Sequence, residues 1–79
     1  MVTIKSVKPQ DNYTLFLEFS DGTKGDFDVK PYLDKGIFKQ LLNVSLFKSV
    51  TVRQDDETIE WANGADLCPD CVYLKTKFI

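Results

Sequence analysis

The chain has 79 residues and a mass of 9.0 kDa, with 43% hydrophobic and 28% charged residues, the composition of one globular domain covering residues 1–79. A domain of this size buries only about 60 to 65% of its unfolded surface, so its core is small and it is not expected to enclose a deep pocket. Ten Lys plus Arg against twelve Asp plus Glu give a net charge of −2, which lacks the basic footprint of a nucleic-acid binder, and nucleic acid is not expected as a direct partner. The sequence has no histidine. That removes the commonest general base and every Ser-His or Cys-His pair, so no catalytic residue is assigned, no cofactor is expected and the chain reads as non-enzymatic.

Met1 to Lys8 alternates apolar and polar residues without the apolar core of a signal peptide, and the stretch from Ile37 to Leu46 is interrupted by Lys39, Gln40, Asn43 and Ser45. No membrane association is expected. Cys68 and Cys71 stand three positions apart, unlike the dispersed framework of a disulfide-stapled secreted domain, and fit a reducing cytoplasm.

In chain order, Val2, Ile4 and Ser6 mark one face of a first strand, which Pro9 is expected to stop because proline cannot donate to a sheet ladder. After the polar turn Gln10-Asp11-Asn12, residues Tyr13, Leu15, Leu17 and Phe19 recur at a period of two, the mark of a half-buried strand. The return strand follows Ser20-Asp21-Gly22. A two-residue Asp21-Gly22 turn would set Leu17 against Asp26 and Leu15 against Asp28, burying acids. A three-residue loop with Gly22 in the left-handed conformation instead pairs Phe19 with Thr23, Leu17 with Gly25, Leu15 with Phe27 and Tyr13 with Val29. It also sets Glu18 against Lys24 on the outer face, and this register is the one predicted.

Lys30-Pro31-Tyr32 to Gly36 reads as a short helical turn, and Ile37, Phe38, Leu41 and Leu42 as a helical core stripe that Asn43 stops or caps before Leu46 and Phe47. Val50 to Arg53 and Thr58 to Trp61 form a second hairpin, whose four-residue loop pairs Val52 with Ile59 and Val50 with Trp61. Asn63-Gly64 ends it. Asp66 to Leu74 reads as the entry to a last helix with Pro69 at its first position, and Lys75 to Ile79 as a tail prone to fray. The expected fold is a two-layer α+β domain with one antiparallel sheet, made from the N-terminal strand and two hairpins and packed against short helices.

Two strings carry a resemblance. Phe19-Ser20-Asp21-Gly22 with Asp28-Val29-Lys30-Pro31-Tyr32-Leu33, and Trp61-Ala62-Asn63-Gly64-Ala65-Asp66-Leu67-Cys68-Pro69 with Val72-Tyr73, resemble domain of unknown function 2442 over nearly the whole chain. The resemblance implies a small bacterial α+β protein, sometimes fused to a helix-turn-helix and often encoded beside another small protein in a toxin-antitoxin-like pair. The helix-turn-helix is absent here, and Cys68 and Cys71 depart from the family pattern. The implied function is a protein-interaction or regulatory module, antitoxin-like, whose partner is itself as a homodimer or a co-encoded small protein.

Candidate binding residues are Trp61, Asn63, Asp66 and Tyr73, on a loop and helix entry set against a rigid hairpin. For each the simpler structural role also stands: Trp61 in the core, and Asp66 capping the last helix or an Asx-turn after Asn63-Gly64. The acidic run Asp55-Asp56-Glu57 reads as a solvated hairpin tip. Asp26 and Asp28, with Glu18 and Asp34, read as an outward polar face rather than a cation site. Cys68-Pro69-Asp70-Cys71 supplies the alternative function, a thiol redox or metal-binding protein, since a C-x-x-C at a helix start favours a thiolate. As a structural zinc site the pair is half complete and needs a second chain. On the simpler reading Cys68 stands at the helix entrance and Cys71 is partly buried one turn on.

Overall fold

Alternating apolar residues build three strands, Ile4–Gln10 (β1), Thr14–Phe19 (β2) and Lys24–Asp28 (β3), which pair antiparallel with β2 in the middle of the computed structural model, where residues 2–79 are described. Leu15, Leu17 and Phe19 on β2 and Phe27 on β3 are buried. The register is the one that keeps acids out of the core: Leu15 faces Phe27, Leu17 faces Gly25, Phe16 faces Asp26 and Glu18 faces Lys24. The three-residue loop closes with the Phe19 N–H donating to the Thr23 carbonyl at 2.9 Å and with Gly22 at φ 87°. Tyr13 lies just outside β2, at φ 57° after Asn12 at φ 61°, in a tight turn that swings the chain from β1 into β2.

Pro9 does not end the first strand. β1 lies at the sheet edge, where a missing N–H can face away from the partner, and pairing runs on to Gln10 opposite Thr14. A register shift between Ile4 and Ser6 exchanges the faces. Ser6 is therefore exposed, and Val7 and Pro9 take the inner side instead.

The middle of the chain is made of short turns. Gly36–Leu42 winds as a 3₁₀ helix, at about three residues per turn. Phe38 and Leu41 therefore share the inner face, whereas Ile37 and Leu42, expected in the core, are 43% and 55% exposed. Asn43 caps the next helix, Val44–Phe47 (α1): its Oδ1 accepts from the Ser45 N–H at 3.0 Å and the Leu46 N–H at 3.4 Å.

Thr51–Val52 (β4) and Ile59–Glu60 (β5) pair as expected, Val52 opposite Ile59. They do not extend the first sheet. Asp66–Leu67 (β6), expected in the helix entry, pairs with β5 to give a separate three-stranded sheet in the order β4-β5-β6. The Asn63-Gly64 turn explains this, because it returns the chain beside β5 at once and so satisfies that edge locally. Pro69–Lys75 (α2) then begins with proline in its first turn and buries Val72.

The tail does not hang free. Lys77–Phe78 (β7) completes the larger sheet as β1-β2-β3-β7, with Gly25 opposite Phe78 and Asp26 opposite Lys77. Gly25 makes this possible, since a Cβ there would lie 2.5 Å from the Lys77 carbonyl oxygen and 2.7 Å from Thr76 Cγ2. The fold is thus α+β with antiparallel sheets of four and three strands and short helices. Among the described residues no helix is long and apolar enough to cross a membrane.

Candidate functional site

The tryptophan string folds as a tight turn whose residues have separate tasks. The Trp61 N–H donates to the Ala65 carbonyl at 2.8 Å, and Gly64 sits at φ 92°, a left-handed position. The Asn63 Oδ1 accepts from the Ala65 N–H at 3.1 Å, the Asx-type contact expected of this turn. Its Nδ2 donates outward to the Ile37 carbonyl at 3.3 Å and to Gln40 Oε1 at 3.0 Å, so Asn63 staples the second sheet to the 3₁₀ helix. Trp61 points the other way. Only 1% exposed, it donates its indole N–H to the Phe47 carbonyl at 3.0 Å and stands 6.1 Å from the Phe38 ring, supporting the turn from beneath rather than presenting a surface.

Asp66 caps nothing. It lies on β6 and accepts from Arg53 Nη2 at 2.9 Å. Arg53 also stands 3.3 Å from Asp56 and 3.3 Å from Glu60, so one guanidinium gathers three carboxylates across the second hairpin. The hydrogen bond to Asp66, ahead of the fields of Asp56 and Glu60, holds the Arg53 pKa above its ordinary value. The acidic tip is therefore partly neutralised rather than simply solvated, and Glu57 accepts a further bond from the Thr3 hydroxyl at 2.6 Å. Sequence reasoning passed over Arg53, yet there was a signal. It is the only arginine of the chain, and its planar fork suits several carboxylates as lysine does not.

Tyr73 belongs to the opposite end of the domain. Its hydroxyl donates to Asp21 Oδ2 at 2.9 Å, and its ring meets Phe19 edge-on at a centroid distance of 4.9 Å. Asp21 also accepts from the Thr23 hydroxyl at 2.6 Å and the Thr23 N–H at 3.1 Å. These bonds, Thr23 first, hold the Asp21 pKa below its ordinary value, while the bond to Asp21 pushes the Tyr73 phenol up. The structure therefore places Asn63 in the turn between β5 and β6 and Asp66 on β6, puts Trp61 in the core, and ties Tyr73 to the first hairpin.

Exposed apolar side chains fall on two stretches of the surface. At the end of α2, Leu74 is 84% exposed, and Phe78 and Ile79 on and after β7 are 43% and 89% exposed. The Phe78 ring lies 5.0 Å from Tyr73, which with Val2 and Leu74 lines a shallow depression. Across the molecule, an open groove of about 590 Å³ is lined by Tyr13, Leu33 and Leu42 with Lys30, Asp34 and Lys39 at its rim. Exposed Ile37 and Val44 are neighbours of this segment in sequence.

Both cysteines are free and exposed, so Cys71 is not the partly buried residue expected. Cys68 is the N-cap of α2, with φ −73° and ψ 152°, and Cys71 ends its first turn. No side-chain capping bond forms at Cys68. The Cys71 thiol and amide nevertheless face it closely enough to lower the Cys68 pKa below the ordinary thiol value, while the same neighbour raises that of Cys71. Asp26 is bound by Gln10 Nε2 at 2.9 Å and Asp28 stands 3.2 Å from Lys30 Nζ. No cluster of three or more His, Cys, Asp or Glu side chains suited to a metal ion occurs among the described residues.

No curated protein and no solved structure matches this chain. A family model, described as a protein of unknown function (DUF2442), matches residues 4–78. Both strings that carried the resemblance lie inside the match, and the Asp21 to Tyr73 bond joins one to the other, so the chain belongs to the DUF2442 family.

Proposed function

We propose that this domain is a non-enzymatic protein-interaction or regulatory module of the cytoplasm, pairing with a second copy of itself or with a small protein encoded beside it, in the manner of an antitoxin-like subunit. The observation that carries the reading is the exposure of Leu74 at the end of α2 and of Phe78 and Ile79 on and after β7, the edge strand of the larger sheet. Three large apolar side chains left exposed by the last eleven residues of so small a domain favour an interaction surface, because monomers rarely expose large apolar patches. The lack of histidine and the acidic balance support binding to protein over hydrolysis or duplex binding.

Sedimentation at a series of concentrations, alone and with the co-expressed neighbouring gene product, tests it. A dimer or heteromer that Leu74→Asp with Ile79→Asp dissociates supports the reading. A monomer at every concentration that also fails to bind the neighbour overturns it.

A further inference from the structure

Two thiols occupy the N-cap and the third helical position of α2, the spacing at which a cap side chain meets the backbone N–H one turn ahead. Both are exposed and free of any disulfide. Pro69 presets the turn between them, and Val72, buried on the next position, anchors it to the core. The pair is therefore presented on a fixed scaffold with its sulfurs open to solvent. We propose that Cys68 and Cys71 form a reversible intramolecular disulfide by exchange with low-molecular-weight disulfides, Cys68 being the attacking thiol and Cys71 the resolving one.

The exchange balances in two displacements. The Cys68 thiolate attacks one sulfur of the small disulfide, forming a mixed disulfide and releasing one small thiolate. Cys71 then gives up its proton, and its sulfur attacks Cys68 Sγ, closing the protein disulfide and releasing the second small thiolate. The protein dithiol is oxidised by two electrons and the small disulfide is reduced to two thiols. The roles follow from the asymmetry of the pair. Cys68 stands at the N-cap, ahead of the free N–H groups that open α2 and favour a thiolate, whereas Cys71 lies within the first turn; Cys71 holds the Cys68 pKa down and Cys68 pushes that of Cys71 up, in keeping with this order. Closure needs the Cβ atoms within about 3.5–4.5 Å.

The test uses the whole chain incubated in buffers of reduced and oxidised glutathione, followed by alkylation and mass analysis. The expected result is a monomeric product lighter by two hydrogens, in a proportion that follows the glutathione ratio. Cys71→Ser is expected to accumulate glutathione on Cys68, and Cys68→Ser to accumulate far less on Cys71. In the reduced protein, iodoacetamide is expected to modify Cys68 several-fold faster than Cys71. Equal trapping by the two variants would overturn the assigned roles. Intermolecular cross-links without an internal disulfide would overturn the proposal, as would a zinc ion shared by two chains that survives oxidised glutathione. Circular dichroism of each serine variant checks that the fold persists.

Discussion

Asp21 and Tyr73, 52 residues apart, are joined by a hydrogen bond of 2.9 Å that ties the turn of the first hairpin to the last helix. Around it the contacts are aromatic: Tyr73 lies edge-on to Phe19 and against Phe78, and Phe19 also meets Phe78 at 5.9 Å. The hairpin turn is thereby fixed from its own side by Thr23 and from the far end of the chain by Tyr73.

Stability should respond to this pair at both ends of the pH scale. Asp21 has a folded pKa below its ordinary value, so its contribution is complete above the unfolded carboxylate range near pH 4 and is lost as pH falls through the folded value. Tyr73 is raised, so its contribution is complete below about pH 10 and is lost as pH rises through the higher folded value. Denaturant midpoints across pH should show Asp21→Asn flattening the acid limb and Tyr73→Phe the alkaline one. Because Thr23 is the larger cause at Asp21, Thr23→Ala should flatten the acid limb more than Tyr73→Phe does.

Two glycines should fail for different reasons. Gly22→Val forces a β-branched residue into φ 87° and is expected to cost about 1 to 2 kcal/mol, although nothing lies within 4 Å of its Cβ position. Gly25→Ala has the ordinary strand backbone but drives a methyl into β7, and is expected to cost about 1 to 3 kcal/mol. Hydrogen exchange separates them: Gly25→Ala should release the Ile79 amide from Lys24 before the rest of the sheet, and Gly22→Val should not.

The 3₁₀ winding predicts opposite outcomes for adjacent leucines. Leu41 is fully buried and Leu42 is 55% exposed. Chemical denaturation should show Leu41→Ala losing about 2 to 5 kcal/mol and Leu42→Ala within about 0.5 kcal/mol of the parent. Similar losses at both would mean an α-helical stripe.

Trp61→Phe keeps an aromatic ring in the core but leaves the Phe47 carbonyl without its indole donor. The expected loss is about 1 to 3 kcal/mol from that unpaired buried group, with the smaller ring adding to it. If thermal and chemical melts are unchanged, the bond does not anchor α1 to the second sheet.

What could be read from sequence was local. The register of the first hairpin followed from refusing to bury Asp26 and Asp28, and the cap at Asn43 from its place before Leu46 and Phe47; both hold. Period alone misplaced Ile37 and Leu42, because a stripe at i, i+1, i+4 and i+5 fits 3.6 residues per turn and the segment winds more tightly. Pro9 reads as a stop in the sequence because its position at a sheet edge is a tertiary fact. The Arg53 cluster and the Asp21 to Tyr73 bond join residues with no common period, and β7 could be foreseen only by asking what Gly25 must accommodate.

The short reach of β7 has a kinetic consequence. Its pairing with β3 spans about two thirds of the chain, so it closes a far longer loop than β1 with β2 or β2 with β3 and gains only a two-residue strand in return. Local opening should therefore begin there, well below the free energy of global unfolding. Each opening strips the cover from β3, leaves its backbone groups as a bare edge and uncovers the Phe19 ring against which Phe78 packs. In that transient form the domain is a template for strand addition, and its tendency to aggregate will follow how often β7 lifts rather than how stable the core is.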